Sequence, residues 1–293
     1  MMPATAYVQQ QPMPAIVETA PQKLADGFKF TEGPLWIPEG YIIFSDIPND
    51  RICKWSEAKG VEVWRQGTNK ANGLALDPQG RVVACDQNKR CIDRYEPDGT
   101  TTTLAERWHG KRFNKPNDVA VRSDGYIYFS DPGMGIKDEE REIKEQAFYC
   151  IRPDGEVLQV ATGYDKPNGL AFSPDEKILY LNDTGKRIID AYDVKPDGTL
   201  TNKRLFADLA SEEKKGNPDG MKVDSEGNVY CTGPGAVWIY DAQGKLLGKM
   251  AVPELAANLC FGDADHKSLY LTARAGLYRA RVKIPGAVPG GHK

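Results

Sequence analysis

Six positions in this chain combine oxygen-bearing side chains with regular spacing: Glu32, Asn72, Asn117, Asn168, Asp219 and Asn258. Each opens the same short phrase. Asn168-Gly169-Leu170-Ala171-Phe172 is one copy. The others are Glu32-Gly33-Pro34-Leu35-Trp36, Asn72-Gly73-Leu74-Ala75-Leu76, Asn117-Asp118-Val119-Ala120-Val121, Asp219-Gly220-Met221-Lys222-Val223 and Asn258-Leu259-Cys260-Phe261. Two carboxylates and four amides brought to one level would make an oxygen-lined site. Oxygen donors without histidine or thiolate suit a hard cation such as Ca²⁺ better than Zn²⁺, and two negative charges balance a divalent ion. An isolated Asn-Gly or Asp-Gly is ordinarily a turn dipeptide, and Pro167-Asn168-Gly169 reads that way. Glu32 does not fit turn chemistry, and six copies in register ask for a common cause.

That cause is a repeat. The lead positions are 40, 45, 51, 51 and 39 residues apart. After each lead residue comes a short apolar run, a Pro, Ser or Ala six residues on, and in four copies a Gly two further on: Gly40, Gly80, Gly125 and Gly227. A second apolar run follows, such as Ile178–Leu181. Runs this short, bounded by Pro, Gly, Asn and Asp, are strands, and a strand-rich period of this length is a propeller blade. The expected fold is all-β, a six-bladed β-propeller, in which the innermost strands surround a channel and the lead residues converge. The sixth copy runs out after three strands, and Lys23 to Phe30 precedes the first lead position. The last blade is therefore expected to be closed by an N-terminal strand, leaving no open edge. The domain reading is a flexible leader over 1–22, one propeller over 23–284, and a Gly/Pro-rich flexible tail over 285–293.

The strings Thr31-Glu32-Gly33-Pro34-Leu35-Trp36, Asn117-Asp118-Val119, Lys166-Pro167-Asn168-Gly169-Leu170-Ala171-Phe172, Asn217-Pro218-Asp219-Gly220-Met221 and Leu277-Tyr278-Arg279-Ala280-Arg281-Val282 resemble the SMP-30/gluconolactonase family, over about 24–285. The resemblance implies a six-bladed propeller with one divalent cation in the channel, hydrolysing a sugar lactone. It implies metal ligation by Glu32, Asn168 and Asp219, with Asn117 near both metal and substrate, and Asp219 as general base. It puts Lys115 on the substrate; Asn72, another lead residue of the ring, is expected to bind substrate too. The cation is expected to be Ca²⁺, with Zn²⁺, Mg²⁺ or Mn²⁺ as the other candidates. Two departures bear on substrate choice: Asp86-Gln87 stands where a Glu-His pair is frequent, and Pro132-Gly133-Met134-Gly135 replaces a Pro-Tyr-Gly-like loop.

Composition limits the rest. The chain has 293 residues and a net charge of −3, with no basic stripe, which argues against nucleic-acid and anionic-membrane partners. No apolar run approaches the roughly 20 residues of a spanning helix. The leader lacks a basic n-region and apolar h-region, so the cytoplasm is the expected compartment, with export requiring a signal outside this sequence. Oligomeric state is not readable. The six cysteines lie mostly in strand-like runs and read as small buried hydrophobes, though Cys85 and Cys91 could face one another across a hairpin. The charged insertion Asp138–Glu145 reads as a solvated short helix or loop, with a lid over the channel as the functional alternative. There is no GxSxG elbow and no phosphate-binding loop. Two rival functions use the same architecture: a phosphotriester hydrolase on the same metal site, and a propeller that only binds partners.

Overall fold

The computed structural model describes residues 13–210 and 214–288. It consists of six four-stranded antiparallel sheets. Blade one runs Thr31–Ile37, Tyr41–Asp46, Arg51–Ser56 and Gly60–Gln66 from the channel outwards. Blade two runs Ala71–Leu76, Val82–Asp86, Cys91–Tyr95 and Thr101–Ala105. Blade three is Val119–Val121, Ile127–Asp131, Ala147–Ile151 and Val157–Ala161, and blade four is Pro167–Phe172, Ile178–Asp183, Ile188–Val194 and Leu200–Asp208. Blade five is Met221–Val223, Val229–Gly233, Ala236–Tyr240 and Leu246–Ala251. Blade six has Ala256–Gly262, Ser268–Ala273 and Gly276–Val282, and its outer strand is the N-terminal Val17–Ala25. Val17 pairs with Val282, and Lys23 with Tyr278.

The closing strand thus begins at Val17, ahead of the expected boundary at 23. Its first residue is buried among Met250, Leu271 and Val282, which holds the segment down. At the other end Pro285–Ala287 is also tied: Ser225 N donates to Pro285 O, Gly286 N to His266 O, and Ala287 N to Val223 O. The remainder of the expected leader and tail, 1–12 and 289–293, lies outside the described residues. A two-stranded hairpin, Arg107–Trp108 with Lys111–Arg112, joins blades two and three and was not anticipated. The charged insertion is a loop with one 3₁₀ turn at Asp138–Glu140, pinned by buried Ile143 in the cluster containing Phe113 and Tyr149.

Side chains alternate along each strand, so each blade fills the space to its neighbour with apolar groups. Ile42, Phe44 and Cys53 of blade one pack with Cys260, Tyr270 and Leu277 of blade six. Tyr128, Phe148 and Cys150 of blade three pack with Leu170, Phe172 and Leu179 of blade four. All six cysteines are buried free thiols, and Cys91 stands opposite Asp86 in the ladder, not opposite Cys85.

The glycines after the lead residues do not make turns. Gly33, Gly73 and Gly169 lie inside innermost strands, at a local irregularity of the ladder. Their purpose is steric. A β-carbon on Gly33 would stand 2.0 Å from Asn72 O, and one on Gly169 would stand 2.0 Å from Asp219 O. One on Gly220 would stand 2.0 Å from Asn258 Oδ1. Each glycine lets the next blade's lead residue come in against its backbone. Hydrogen bonds fix that approach: Ser45 Oγ to Asn72 O (2.8 Å), Gly73 N to Asn117 O (2.8 Å), Asn182 Nδ2 to Asp219 O (2.5 Å) and Gly220 N to Ala257 O (2.8 Å). Gly169→Ala should therefore lower unfolding stability by about 3 kcal/mol in denaturant titration. An unchanged midpoint would contradict this close approach of blades four and five.

Candidate metal and substrate site

The lead residues form a ring because each occupies the same place in its blade. The residue before the lead pairs with the last residue of the second strand in three blades: Thr31 with Asp46, Ala71 with Asp86, and Pro167 with Asp183. Glu32, Asn72, Asn117, Asn168 and Asn258 are all buried, while Asp219 remains partly accessible.

Two amide oxygens of this ring are unusual. Asn168 Oδ1 and Asn72 Oδ1 are buried with no hydrogen-bond partner. Leaving a buried acceptor unpaired costs about 1–3 kcal/mol, so such atoms in a channel mark a place for a ligand. Asn168 is oriented deliberately. Its Nδ2 donates to Thr184 Oγ1 at 3.0 Å, and Thr184 Oγ1 donates to Pro218 O at 2.6 Å, which turns the amide oxygen inward. Glu32 uses Oε2 to accept from Gly33 N at 2.7 Å.

The carboxylates crowd one another. Burial, followed by the charge of Asp118, raises Glu32 to about 7. Burial also raises Asp219 well above the usual range, with Glu32 and Asp118 adding to it and the amide of Asn168 opposing it. Asp118 is raised by burial against the opposing charge of Lys222. Its Oδ1 accepts from Val119 N at 2.9 Å, and Asn258 Nδ2 approaches its Oδ2 at 3.4 Å. Three carboxylates with upward-shifted affinity for protons, beside an orphaned amide oxygen, form a donor set that a divalent cation fits.

Sequence reasoning did not single out Asp118, Thr184 or Lys222. Asp118 fills the place taken by glycine in four other repeats, so the departure itself was a signal. Lys222 stands in a column otherwise made of Leu35, Ala75, Ala120, Ala171 and Phe261. It projects into a cavity of about 340 Å³ that continues down the channel between Leu74, Val119, Leu170 and Phe261. Ala287 and Val288 border this cavity at its far end. The chemistry therefore faces the opposite mouth.

At that mouth the carboxylate ending the second strand of blades one, three and four clamps the loop entering the blade. Asp46 accepts from Lys29 N and Phe30 N, Asp131 from Asn114 N and Lys115 N, and Asp183 from Asp165 N and Lys166 N. Asp86, one of the two departures, does not clamp its loop; it accepts from Tyr95 Oη at 3.2 Å. Together with Cys91 and Asp93 it forms a tight buried cluster. Lys89 Nζ, 2.7 Å from Asp93, already supplies the positive charge there, and burial and Asp93 push Asp86 to about 8. This cluster is self-neutralised and lacks the orphaned oxygen that marks the ring. Lys115 is half-buried and pushed downward by desolvation and by Lys70. Its Nζ lies 3.5 Å from where a Gly135 β-carbon would stand, which brings the departing loop 132–135 against it.

A raised carboxyl binds its proton more tightly folded than unfolded, so metal-free stability is greatest below the unfolded value near 4.5 and falls as pH rises through about 7. Melting of chelator-treated protein should show Tm declining across that window, and Glu32→Gln should flatten the decline. A Tm that rises steadily from pH 4.5 to 7.5 would contradict the crowding of Glu32, Asp118 and Asp219.

The match to known proteins is extensive. The SMP-30/gluconolactonase/LRE-like region model matches residues 30–275. The chain is 30% identical to the gluconolactonase of Zymomonas mobilis, over 92% of this chain and 83% of that relative. It is 31% identical to the regucalcin of Oryctolagus cuniculus, over 84% of each chain. The solved structure of a gluconolactonase from Xanthomonas campestris superposes with a TM-score of 0.83 at 33% identity, covering 92% of this chain and 95% of that one. With its six blades, its closing N-terminal strand and these relatives along nearly its whole length, the chain belongs to the SMP-30/gluconolactonase/LRE-like family.

Proposed function

We propose that this protein is a lactonase that hydrolyses a sugar lactone with a divalent cation held by Glu32, Asn168 and Asp219. The observation that carries the reading is the orphaned Asn168 Oδ1, aimed by Thr184 into a ring where Glu32 and Asp219 also converge. Its gluconolactonase relatives supply the substrate class. All-oxygen donors of this kind favour Ca²⁺, with Mg²⁺, Mn²⁺ and Zn²⁺ as competitors.

When bound, the cation supplies Lewis acidity at the lactone carbonyl. Glu32 and Asp219 bring the negative charge that retains it, and Asn168 adds a neutral donor. Asn117 and Asn72, on the same ring, hold substrate hydroxyls without adding charge. Asp219 is the base: its carboxylate takes a proton from water as the water oxygen bonds to the carbonyl carbon. The ring C–O bond then breaks, and the proton on Asp219 passes to the departing ring oxygen, leaving an open hydroxy acid. In the metal-free ring, burial, followed by the charges of Glu32 and Asp118, raises the proton affinity of Asp219.

Chelator-stripped protein should hydrolyse glucono-1,5-lactone in a pH-stat, above the spontaneous rate, only after a divalent ion is restored. Asp219→Asn should lower kcat by about 100-fold or more. Thr184→Ala, which frees the Asn168 amide, should weaken cation affinity by about tenfold. Full activity in Asp219→Asn, or turnover indifferent to chelation, would overturn the assignment.

A further inference from the structure

The residue two before each lead position stands one level above the ring, on the side away from the apolar cavity. Across the six blades these residues are Phe30, Lys70, Lys115, Lys166, Asn217 and Ala256. Three consecutive blades, two to four, therefore place lysines side by side at the mouth. They lie over Asn72, Asn117 and Asn168, the neutral side of the ring. The two ring carboxylates, Glu32 and Asp219, belong to blades one and five.

The backbones carrying these lysines are held firmly. Lys115 N donates to Asp131 Oδ1 at 2.5 Å, and Lys166 N to Asp183 Oδ1 at 2.9 Å. Blade two lacks that clamp and uses another: Lys70 N donates to Asp50 Oδ1 at 2.6 Å. Asn69 and Lys70 both adopt left-handed backbone, with φ of +52° and +58°, a conformation that non-glycine residues seldom take and that clusters at ligand sites.

The ammonium groups themselves have no partner. Among the described residues none of the three Nζ atoms makes an ion pair or hydrogen bond. Two lysines of the same blades do: Lys89 pairs with Asp93 and Lys186 with Asp183. Lys70 and Lys115 are half-buried and repel one another. Two like charges, partly desolvated and fixed on clamped backbones, are stabilised by an anion between them.

We infer that Lys70, Lys115 and Lys166 form an anion subsite, and that the physiological substrate is a sugar lactone bearing a second, negatively charged group, a carboxylate or a phosphate, at the end away from the reacting carbonyl. This inference rests on the lactonase reading for its substrate class but not for its geometry. Lysine ammoniums, as mobile point charges, accept either anion, whereas a bidentate guanidinium would have favoured a planar fit.

The test separates binding from turnover. Calorimetry on the wild-type protein with gluconate, 6-phosphogluconate and the six-carbon aldarate measures the subsite without catalysis. At least one of the two probes with a second anionic group should bind about tenfold more tightly than gluconate, and which one does identifies carboxylate or phosphate. That preference should shrink as salt is raised. In Lys70→Met/Lys166→Met the preference should fall to about one, and Lys70→Arg/Lys166→Arg should retain most of it. In kinetics, the ratio of kcat/KM for the charged lactone over glucono-1,5-lactone should fall by the same factor in the methionine variant. Equal binding of all three probes by the wild-type protein, or a preference surviving in the methionine variant, would overturn the inference. Turnover of the neutral lactone with no anion preference leaves the lactonase reading standing and removes the subsite. A preference without turnover of any lactone does the reverse.

Discussion

In four of the six blades a glycine at the channel leaves room for the following blade's lead residue, and the rest of the site depends on that contact. At Gly33 and Gly169 the neighbour's backbone carbonyl occupies the space of the missing β-carbon, and at Gly220 the Asn258 side chain does. The ring is narrow because these contacts are close. Six side chains of modest length, none longer than glutamate, can share one level only if the strands bearing them converge this tightly. Inter-blade hydrogen bonds from Ser45 and Asn182 then fix the approach. Packing of apolar layers between blades supplies the driving force, and the glycines decide how far it can proceed.

The convergence has an electrostatic consequence. Glu32, Asp118 and Asp219 are buried close enough that Asp118 raises the proton affinity of Glu32, and both raise that of Asp219. A metal-free ring of that kind resists full ionisation, and a divalent ion relieves it. Lys222 approaches from the cavity side and opposes the charge of Glu32 and Asp118. Three carboxylates, one lysine and one divalent cation sum to neutrality. Asn72, Asn117 and Asn168 form the uncharged arc of the ring, and the lysines of the same three blades stand over it.

Much of this architecture was legible in the sequence, because a propeller writes its period into the chain. The lead residues, the blade count and the N-terminal closure follow from repetition and from the missing strand of the sixth copy. The glycines were visible but read as turn formers, since local propensity cannot report a neighbour 40 residues away. Asp118 has one sequence signal, a carboxylate in a column that is glycine in four of the other five repeats, and it follows directly on a lead asparagine that carries a stronger one. Thr184 has no sequence signature: its importance lies in one hydrogen bond to Asn168 across a hairpin. The closing strand began earlier than expected because Val17 is buried by blades five and six, a contact no local pattern announces. The lysine arc lay in the sequence throughout, yet its three members are 45 and 51 residues apart and gain meaning only when the blades align.

The most direct measurement is a crystal structure of the protein soaked in Mn²⁺, with an anomalous difference map to locate the ion. The account predicts one strong peak in the ring, within about 2.5 Å of a Glu32 carboxylate oxygen, Asn168 Oδ1 and an Asp219 carboxylate oxygen. A ring without a peak, or a peak held instead by Asp86 and Asp93, would contradict it.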